Sequence, residues 1–500
     1  MRNKSALYPT VKYNINNKFY TYQVRLLTVI LTGSTYILST IKCIDYLQSF
    51  IAYSILLTAY LYLEVKNLIF LDKKLFFIKP PILASIFTFA LPCGITNFIF
   101  LLPDDDIYSV GIEPTITPWM NILMLMVIMA AISMWSGYSS SVGYNIGCFL
   151  QKNKLVNKLI IRSYTINKPV IIILIFITFL AKLISIKLGI FGYSANYDDV
   201  IMAANYTQYF SIADSLSKLI LFVLALSYYS SHNKKLLFLL QAFITYQIIF
   251  GFLSGMKSGV IAPFFTVGIA YYIINNKFPK WMFTSIIAGI FIAYAVIEPF
   301  REARNLNNDF DGTSLTSIFS TMTTNQGIDS NSDGEANTSL KFLSRSNIIY
   351  DASQGIEYSA NNTISSDRPH FMENIIFSPA NAFLPRFIWN NKPLDNLGLW
   401  YTNEVMGRTN FSSTAMSPFT YLNFAGGPIM VIIGFFGVGV IQRAIVDGFS
   451  HFGGGGVIIF LGMLTFVMTV DNNFGTFMTN IFRFPLLLII AQRILLKKTN

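Results

Sequence analysis

The chain has 500 residues, of which 53% are hydrophobic and 12% charged, with a formal net charge of +11. Together with a mean hydropathy of +0.52, this composition excludes an ordinary soluble domain and marks an all-α polytopic membrane protein. The basic excess is expected to set membrane orientation rather than to bind nucleic acid, and Cys43, Cys93 and Cys148 show no metal-type spacing.

The N-terminal stretch is polar and basic (Arg2, Lys4, Lys12, Lys18, Arg25), and no small-residue cleavage pattern follows its first apolar run, so the first helix is expected to remain. Crossing the hydrocarbon core takes roughly 20 mostly apolar residues. Twelve stretches qualify, near 24–41, 47–63, 82–102, 118–135, 169–188, 215–231, 236–253, 258–275, 282–299, 419–443, 456–472 and 481–496. The chain therefore divides into residues 1–299 with helices 1–9, a hydrophilic segment at 300–418, and residues 419–500 with helices 10–12. The glycine run from Gly453 to Gly456 reads either as a flexible turn or as a broken helix.

Charge fixes an orientation. With the N-terminus inside, the inner segments hold 22 of the 36 basic residues, including Lys152, Lys154, Lys158, Arg162 and Lys168, then Lys234 and Lys235, and finally Arg493, Lys497 and Lys498. The short outer loops keep Lys42, Lys182, Lys187, Lys218, Lys257 and Arg483, and one carries the acidic run Asp104, Asp105, Asp106. This positive-inside asymmetry predicts cytoplasmic N- and C-termini and places residues 300–418 outside. Charges are expected at span ends, with Lys182 and Glu298 near the outer face and none at a centre. That pattern speaks against an ion-coupled pump but leaves room for a flippase with a polar cavity.

Within the hydrophilic segment, residues 307–338 are too poor in apolar side chains to build a core. From Leu340 the apolar positions Phe342, Leu343, Ile348, Ile349 and Tyr350 predict an amphipathic helix. A second amphipathic piece at Ala380 to Trp389 would lay Phe383, Leu384, Phe387 and Ile388 on the membrane interface. The segment carries eight basic against twelve acidic residues, so its arginines would act individually rather than as a basic patch.

Several outer-face features suit a lipid-linked diphosphate and a sugar. The turn Ser254-Gly255-Met256-Lys257-Ser258-Gly259 offers backbone N–H groups and a cation at a helix mouth, although an ordinary interhelical turn with a snorkelling lysine is the more common reading of such residues. Arg301 and Arg304, one helical turn apart, can face one phosphate or anchor to headgroups. In Asp367-Arg368-Pro369-His370-Phe371-Met372-Glu373, Arg368 adds a cation, and either His370 or Glu373 can take a proton from a hydroxyl. A structural, hydrogen-bonding histidine is the other reading. In Leu384-Pro385-Arg386-Phe387-Ile388-Trp389-Asn390-Asn391-Lys392-Pro393, Arg386 and Lys392 flank Trp389, which fits an anion beside a stacked sugar or an interfacial aromatic belt.

The SGMKSG turn, the "FREARN" start of the outer segment, the "LPRFIWNNKP" block and the "SPFTYLNFAGG" return into the membrane resemble the ordered landmarks of the bacterial O-antigen and exopolysaccharide repeat-unit polymerases, the Wzy class. The likeness covers roughly residues 250–430 by motif and the whole chain by topology. Relatives often carry arginine in the first of these turns, where Lys257 would hold phosphate as a point charge rather than as a fork. The resemblance implies a GT-C-like glycosyltransferase in the bacterial cytoplasmic (inner) membrane. It would move a growing glycan from undecaprenyl diphosphate onto the terminal sugar of another lipid-linked repeat unit, with no metal or other cofactor and no nucleotide-sugar. Its partners would be undecaprenyl-diphosphate-linked oligosaccharide, membrane lipid and a chain-length regulator protein. On that reading Lys257, Arg301, Arg304, Arg368, Arg386 and Lys392 contact substrate, Trp389 contacts sugar, and His370 or Glu373 is the base. An O-antigen ligase-like enzyme, a lipid-linked oligosaccharide flippase and a noncatalytic assembly partner are the alternatives.

Overall fold

The computed structural model describes residues 15–71, 78–161, 164–192, 204–277, 279–282, 284–289, 291–292, 297, 338–361, 369–384, 388–389, 392, 397–408, 414, 416–449, 453–470 and 473–498. These residues form an all-α, membrane-embedded bundle. Among them, nine helices are long and apolar enough to cross a bilayer. Of the other expected spans, 24–41 falls within α1 (Ile15–Thr40) and 456–472 coincides with a shorter apolar helix ending at Val467. Of 282–299, residues 282, 284–289, 291–292 and 297 are described, and these are helical.

The first helices are α2 (Tyr46–Leu71), α3 (Pro80–Leu101), α4 (Pro118–Ser139) and α5 (Ser141–Lys152). Local sequence explains where α4 begins: Thr117 accepts from the Met120 N–H at 3.3 Å and Pro118 occupies the first turn, where its missing donor costs nothing. By contrast α3 is broken, passing from an α-turn at Pro80–Ala84 through a wide turn at Ser85–Ala90 to a 3-10 stretch at Ile95–Leu101, with Pro92 and Gly94 at the break.

Four further spans, α6 (Lys168–Lys187), α7 (Ala204–Ser231), α8 (Lys234–Leu253) and α9 (Lys257–Asn275), pack as a second group. Asn233 caps α8 by accepting from the Lys235 N–H at 2.9 Å, and α9 stops at Asn276 in the left-handed conformation. Between these spans and the C-terminal helices come α10 (Thr338–Ser346), α11 (Ile349–Asn361), α12 (Phe371–Ile376) and α13 (Ser378–Phe383).

The span expected at 419–443 is in two pieces. Helical residues run over α14 (Pro418–Phe449), but Gly426 and Gly427 have non-helical backbone, and Gly427, at φ 70 and ψ −168, occupies a region open essentially to glycine alone. In a continuous helix Phe419 and Phe435 would stand about 24 Å apart; here their rings stack with centroids at 5.0 Å. The chain therefore reverses at the glycine pair, and the short buried helix 418–425 folds back on the span that starts at Pro428. Phe89 of α3 packs on both rings, at 5.6 and 5.3 Å.

That second part of α14 lies against α4 and α5 in the same direction, with Gly137 on the Phe436 carbonyl, Gly439 on the Met134 carbonyl and Gly147 on Asp447. Small residues let the backbones touch, the usual way membrane helices gain packing without a hydrophobic driving force. α15 (Gly453–Val467) and α16 (Phe474–Leu495) complete the bundle as an antiparallel pair, with Phe466 stacked on Phe484 at 3.7 Å. The glycine run at 453–456 is thus the helical start of α15. Where the sequence predicts a turn or a broken helix, the chain is helical, and glycine is needed at 455 for close approach, because a Cβ there would strike Ile161 and Gln492.

One end of the bundle is tied by polar contacts. β1 (Tyr164–Ile166) pairs antiparallel with β2 (Leu496–Lys498), Arg493 donates to the carbonyls of Lys158 and Leu159, and the Gly455 N–H donates to Ile161. The basic segments 152–168 and 493–498, which the charge pattern assigns to one side, therefore meet. Two ion pairs are buried near span ends: Arg25 of α1 with Glu64 of α2 at 2.7 Å, held also by Ser136, Ser139 and the Trp135 carbonyl in the last turns of α4, and Arg443 with Asp447, one turn apart on α14. Each charge is matched and hydrogen-bonded, as burial requires.

Candidate functional site

Membrane-depth backbone that is not helical must be covered by protein or must line a cavity. Irregular backbone in α3 and at residues 468–470 after α15 borders a cavity of about 420 Å³ lined by Phe87, Thr88, Pro92, Ile348, Pro418, Thr465, Phe466, Thr469, Val470, Phe477 and Asn480. The hydrophilic segment reaches down to it: the Ile348 N–H donates to the Pro92 carbonyl at 3.3 Å, and Asn347 Nδ2 donates to Asn97 Oδ1 at 2.8 Å. Asn97 in turn donates to Ser54 Oγ and to the Cys93 carbonyl.

A second cavity, about 370 Å³, opens between α6, α7, α8 and α9, and its walls include Lys182, Asp214, Lys218, Gln247, Ser254 and Ser258. The Lys182 ammonium donates to Gln247 Oε1 at 3.0 Å and lies over the rings of Tyr246 and Phe250 at 5.0 and 5.4 Å. Lys218 pairs with Asp214 at 2.7 Å, four residues earlier on α7. Among the described residues, two ammonium groups against one carboxylate leave this cavity with an excess of positive charge. It is also the cavity that the SGMKSG turn borders, with half-buried Lys257 in the first turn of α9. Sequence reading named Lys257 here but treated Lys182 and Lys218 as loop charges. The missed signal was a lysine inside an otherwise apolar run, more than a turn before the end of α6.

The other expected site residues are distributed differently. His370 Nδ1 and Glu373 Oε1 stand 3.5 Å apart at the start of α12, both well exposed. Between them, Phe371 anchors that start in an aromatic cluster with Trp400, Tyr421 and Phe424. Trp389 meets Phe377 edge-on at 6.3 Å, and the Lys392 N–H closes a turn onto the Trp389 carbonyl. Lys392 is buried, and its ammonium donates to the carbonyls of Asn381 and Leu384 at 2.6 and 3.0 Å; Arg483 of α16 donates to those of Asn381 and Ala382. The two cations thus hold the C-terminal carbonyls of α13, where the helix dipole favours positive charge. Arg301, Arg304, Arg368 and Arg386 lie outside the described residues.

α12 and α13 run down beside α16, with exposed Met372, Ile376, Phe377, Phe383, Leu384 and Ile388 on the outer side. Of the amphipathic piece expected at Ala380 to Trp389, only the part up to Phe383 is helical, in helices that begin earlier than the sequence suggests, and residues 385–387 lie outside the described residues. On the inner side Asn374, Ser378 and Asn381 are buried, and their side-chain oxygens have no hydrogen-bond partner. A further charged group missed in the sequence sits at the start of α11. There Asp351 lies 3.8 Å from Arg408, and burial raises its carboxyl pKa above the ordinary carboxylate value despite the opposing pull of that guanidinium. The Tyr401 hydroxyl donates to the Asp351 carbonyl at 2.6 Å, and burial pushes this phenol up as well.

A family described as Domain of unknown function (DUF8712) matches residues 147–500. The chain belongs to this family. No curated protein and no solved structure matches the chain. The DUF8712 match contains every residue lining the lysine-bearing cavity, whereas the cavity at Thr88 and Asn480 is completed by α3, which precedes it.

Proposed function

We propose that the protein is a membrane glycosyltransferase that polymerises undecaprenyl-diphosphate-linked repeat units into a bacterial surface polysaccharide. Its architecture would be GT-C-like, with twelve spans, cytoplasmic termini and residues 300–418 at the outer face of the cytoplasmic membrane. The observation that carries the reading is the cavity where Lys182 and Lys218 face one carboxylate beside the SGMKSG turn. An ammonium half-buried within a span, as that of Lys182 is, is costly in a membrane unless it serves an ion or a substrate, and a cavity with excess positive charge among helix ends matches a departing diphosphate.

In the reaction, an acceptor hydroxyl oxygen bonds to the anomeric carbon of the donor glycan as the bond from that carbon to the diphosphate oxygen breaks. Undecaprenyl diphosphate leaves with the electron pair, stabilised by Lys182, Lys218 and Lys257. The hydroxyl proton passes to His370 or Glu373, which stand together at the start of α12.

Purified protein in detergent, given the matching lipid-linked repeat unit, is expected to yield a ladder of longer glycans, and Lys182→Met is expected to abolish it. No ladder from folded protein with verified substrate refutes the polymerase; glycan transferred only to a lipid A core acceptor would replace it with a ligase.

A further inference from the structure

The cavity between α3, α15 and α16 lies apart from the lysines, and among the described residues its lining holds no ionisable side chain. Its polar groups are neutral (Thr88, Thr465, Thr469, Asn480) and its aromatic ones are phenylalanines, among them Phe477. Buried without a cation, a diphosphate would lose its hydration with nothing to replace it. An alkyl chain would strand the threonine and asparagine groups without partners. A sugar meets both demands, because its hydroxyls donate and accept as Thr and Asn do and its apolar ring faces pack on phenyl rings.

The two cavities adjoin. A void of about 20 Å³ between them is walled by Lys218, which also lines the lysine-bearing cavity, and by Thr465 and Phe466, which also line the neutral one. Phe484, stacked on Phe466 at 3.7 Å, borders the same void.

We propose that the neutral cavity is a second binding site, for the uncharged saccharide end of the acceptor. On this proposal Lys218 and the Phe466–Phe484 stack divide it from the diphosphate site. The proposal rests on the glycosyl-transfer reading and adds to it a separate acceptor compartment. Thr88 already accepts from the Val470 N–H at 3.1 Å, which holds residues 468–470 against α3. Asn480 and Thr469 are the groups left to meet the saccharide.

The test uses the full-length protein in detergent and two probes: inorganic pyrophosphate, and the repeat-unit oligosaccharide freed from its lipid diphosphate by mild acid, each measured by equilibrium dialysis. Asn480→Leu and, independently, Thr469→Val are expected to weaken oligosaccharide binding by about tenfold. Pyrophosphate binding, unchanged within about twofold, reports that each variant is folded. Lys182→Met is expected to do the reverse. Loss of both probes together in Lys182→Met, full oligosaccharide affinity in both neutral-cavity variants, or no oligosaccharide binding by the unaltered protein would each overturn the two-compartment assignment. The ladder assay fails or succeeds separately: a ladder without this partition rejects the acceptor site alone, and the partition without a ladder rejects the polymerase reading alone.

Discussion

Replacing Gly439 by alanine tests the helix contact on which the bundle turns. A Cβ built there lies 1.9 Å from the Met134 carbonyl oxygen and 2.7 Å from the Tyr138 nitrogen. Both are backbone atoms of α4, so no rotamer change can relieve the clash, and the helices must separate by more than an ångström. That movement would be felt at Gly137, whose own Cβ position meets the Phe436 carbonyl at 2.1 Å. Overpacking a close contact costs about 1–3 kcal/mol, and a backbone-to-backbone clash belongs at the upper end. Gly437, two residues away on the same helix, has nothing within 4 Å of its Cβ position, so Gly437→Ala is expected to gain about 0.5–1 kcal/mol from helix propensity. The assay is thermal unfolding of the purified variants in one detergent, with Gly437→Ala as the internal reference. Gly439→Ala should melt clearly below the parent and Gly437→Ala at or above it. Equal melting temperatures for the two variants would refute the close packing of α4 on α14.

Lys392→Met removes two charge-assisted hydrogen bonds from the carbonyls of Asn381 and Leu384 and is expected to cost about 1.5–3 kcal/mol of stability, read as a lower melting temperature. Ser378→Ala deletes a buried hydroxyl that has no partner, so the variant should be neutral or up to about 1 kcal/mol more stable; a marked loss in the same melt would contradict it. Asp351 has a raised pKa, so the folded chain holds its proton more tightly than the unfolded one. The stability linked to it is complete below the unfolded pKa near 3.9 and is lost as pH rises through the folded value. Asp351→Asn cannot ionise, so its melting temperature relative to the parent should shift upward between about pH 4 and pH 7. A flat or downward trend would mean that the Arg408 contact outweighs burial.

Single elements of this fold were legible where one local cause sufficed. Apolar runs of the right length mark α4, α6 and α8, and the repeated basic loops correctly bring 152–168 to 493–498, because charge and hydropathy act on each segment by itself. The reversal at Gly426–Gly427 was harder: "FAGG" reads as small residues for close packing, and only the stacking of Phe419 on Phe435 tells a hairpin from a span. Lys392 illustrates a different limit. Two prolines and a tryptophan around a cation suit a sugar-phosphate site, but Asn381 and Leu384 precede the lysine by less than a dozen residues, and their carbonyls at a helix end claim it first.

The cavities were out of reach for a further reason, since their walls come from segments tens to hundreds of residues apart. Thr88 meets Val470, Pro92 meets Ile348, and Lys182 meets Gln247. No spacing rule joins such pairs; what the sequence does offer is the misfit, a lysine in an apolar run or a proline and glycine inside a span, which is where irregular backbone and buried charge must find a use. The boundary of the family match gives these misfits a further meaning. Every wall of the lysine-bearing cavity falls within residues 147–500, while Phe87, Thr88 and Pro92 of the neutral cavity lie before them. If the first compartment holds the diphosphate that every donor carries and the second holds the sugar, chains sharing only the matched region would keep the donor chemistry. Their choice of acceptor would then vary with α3.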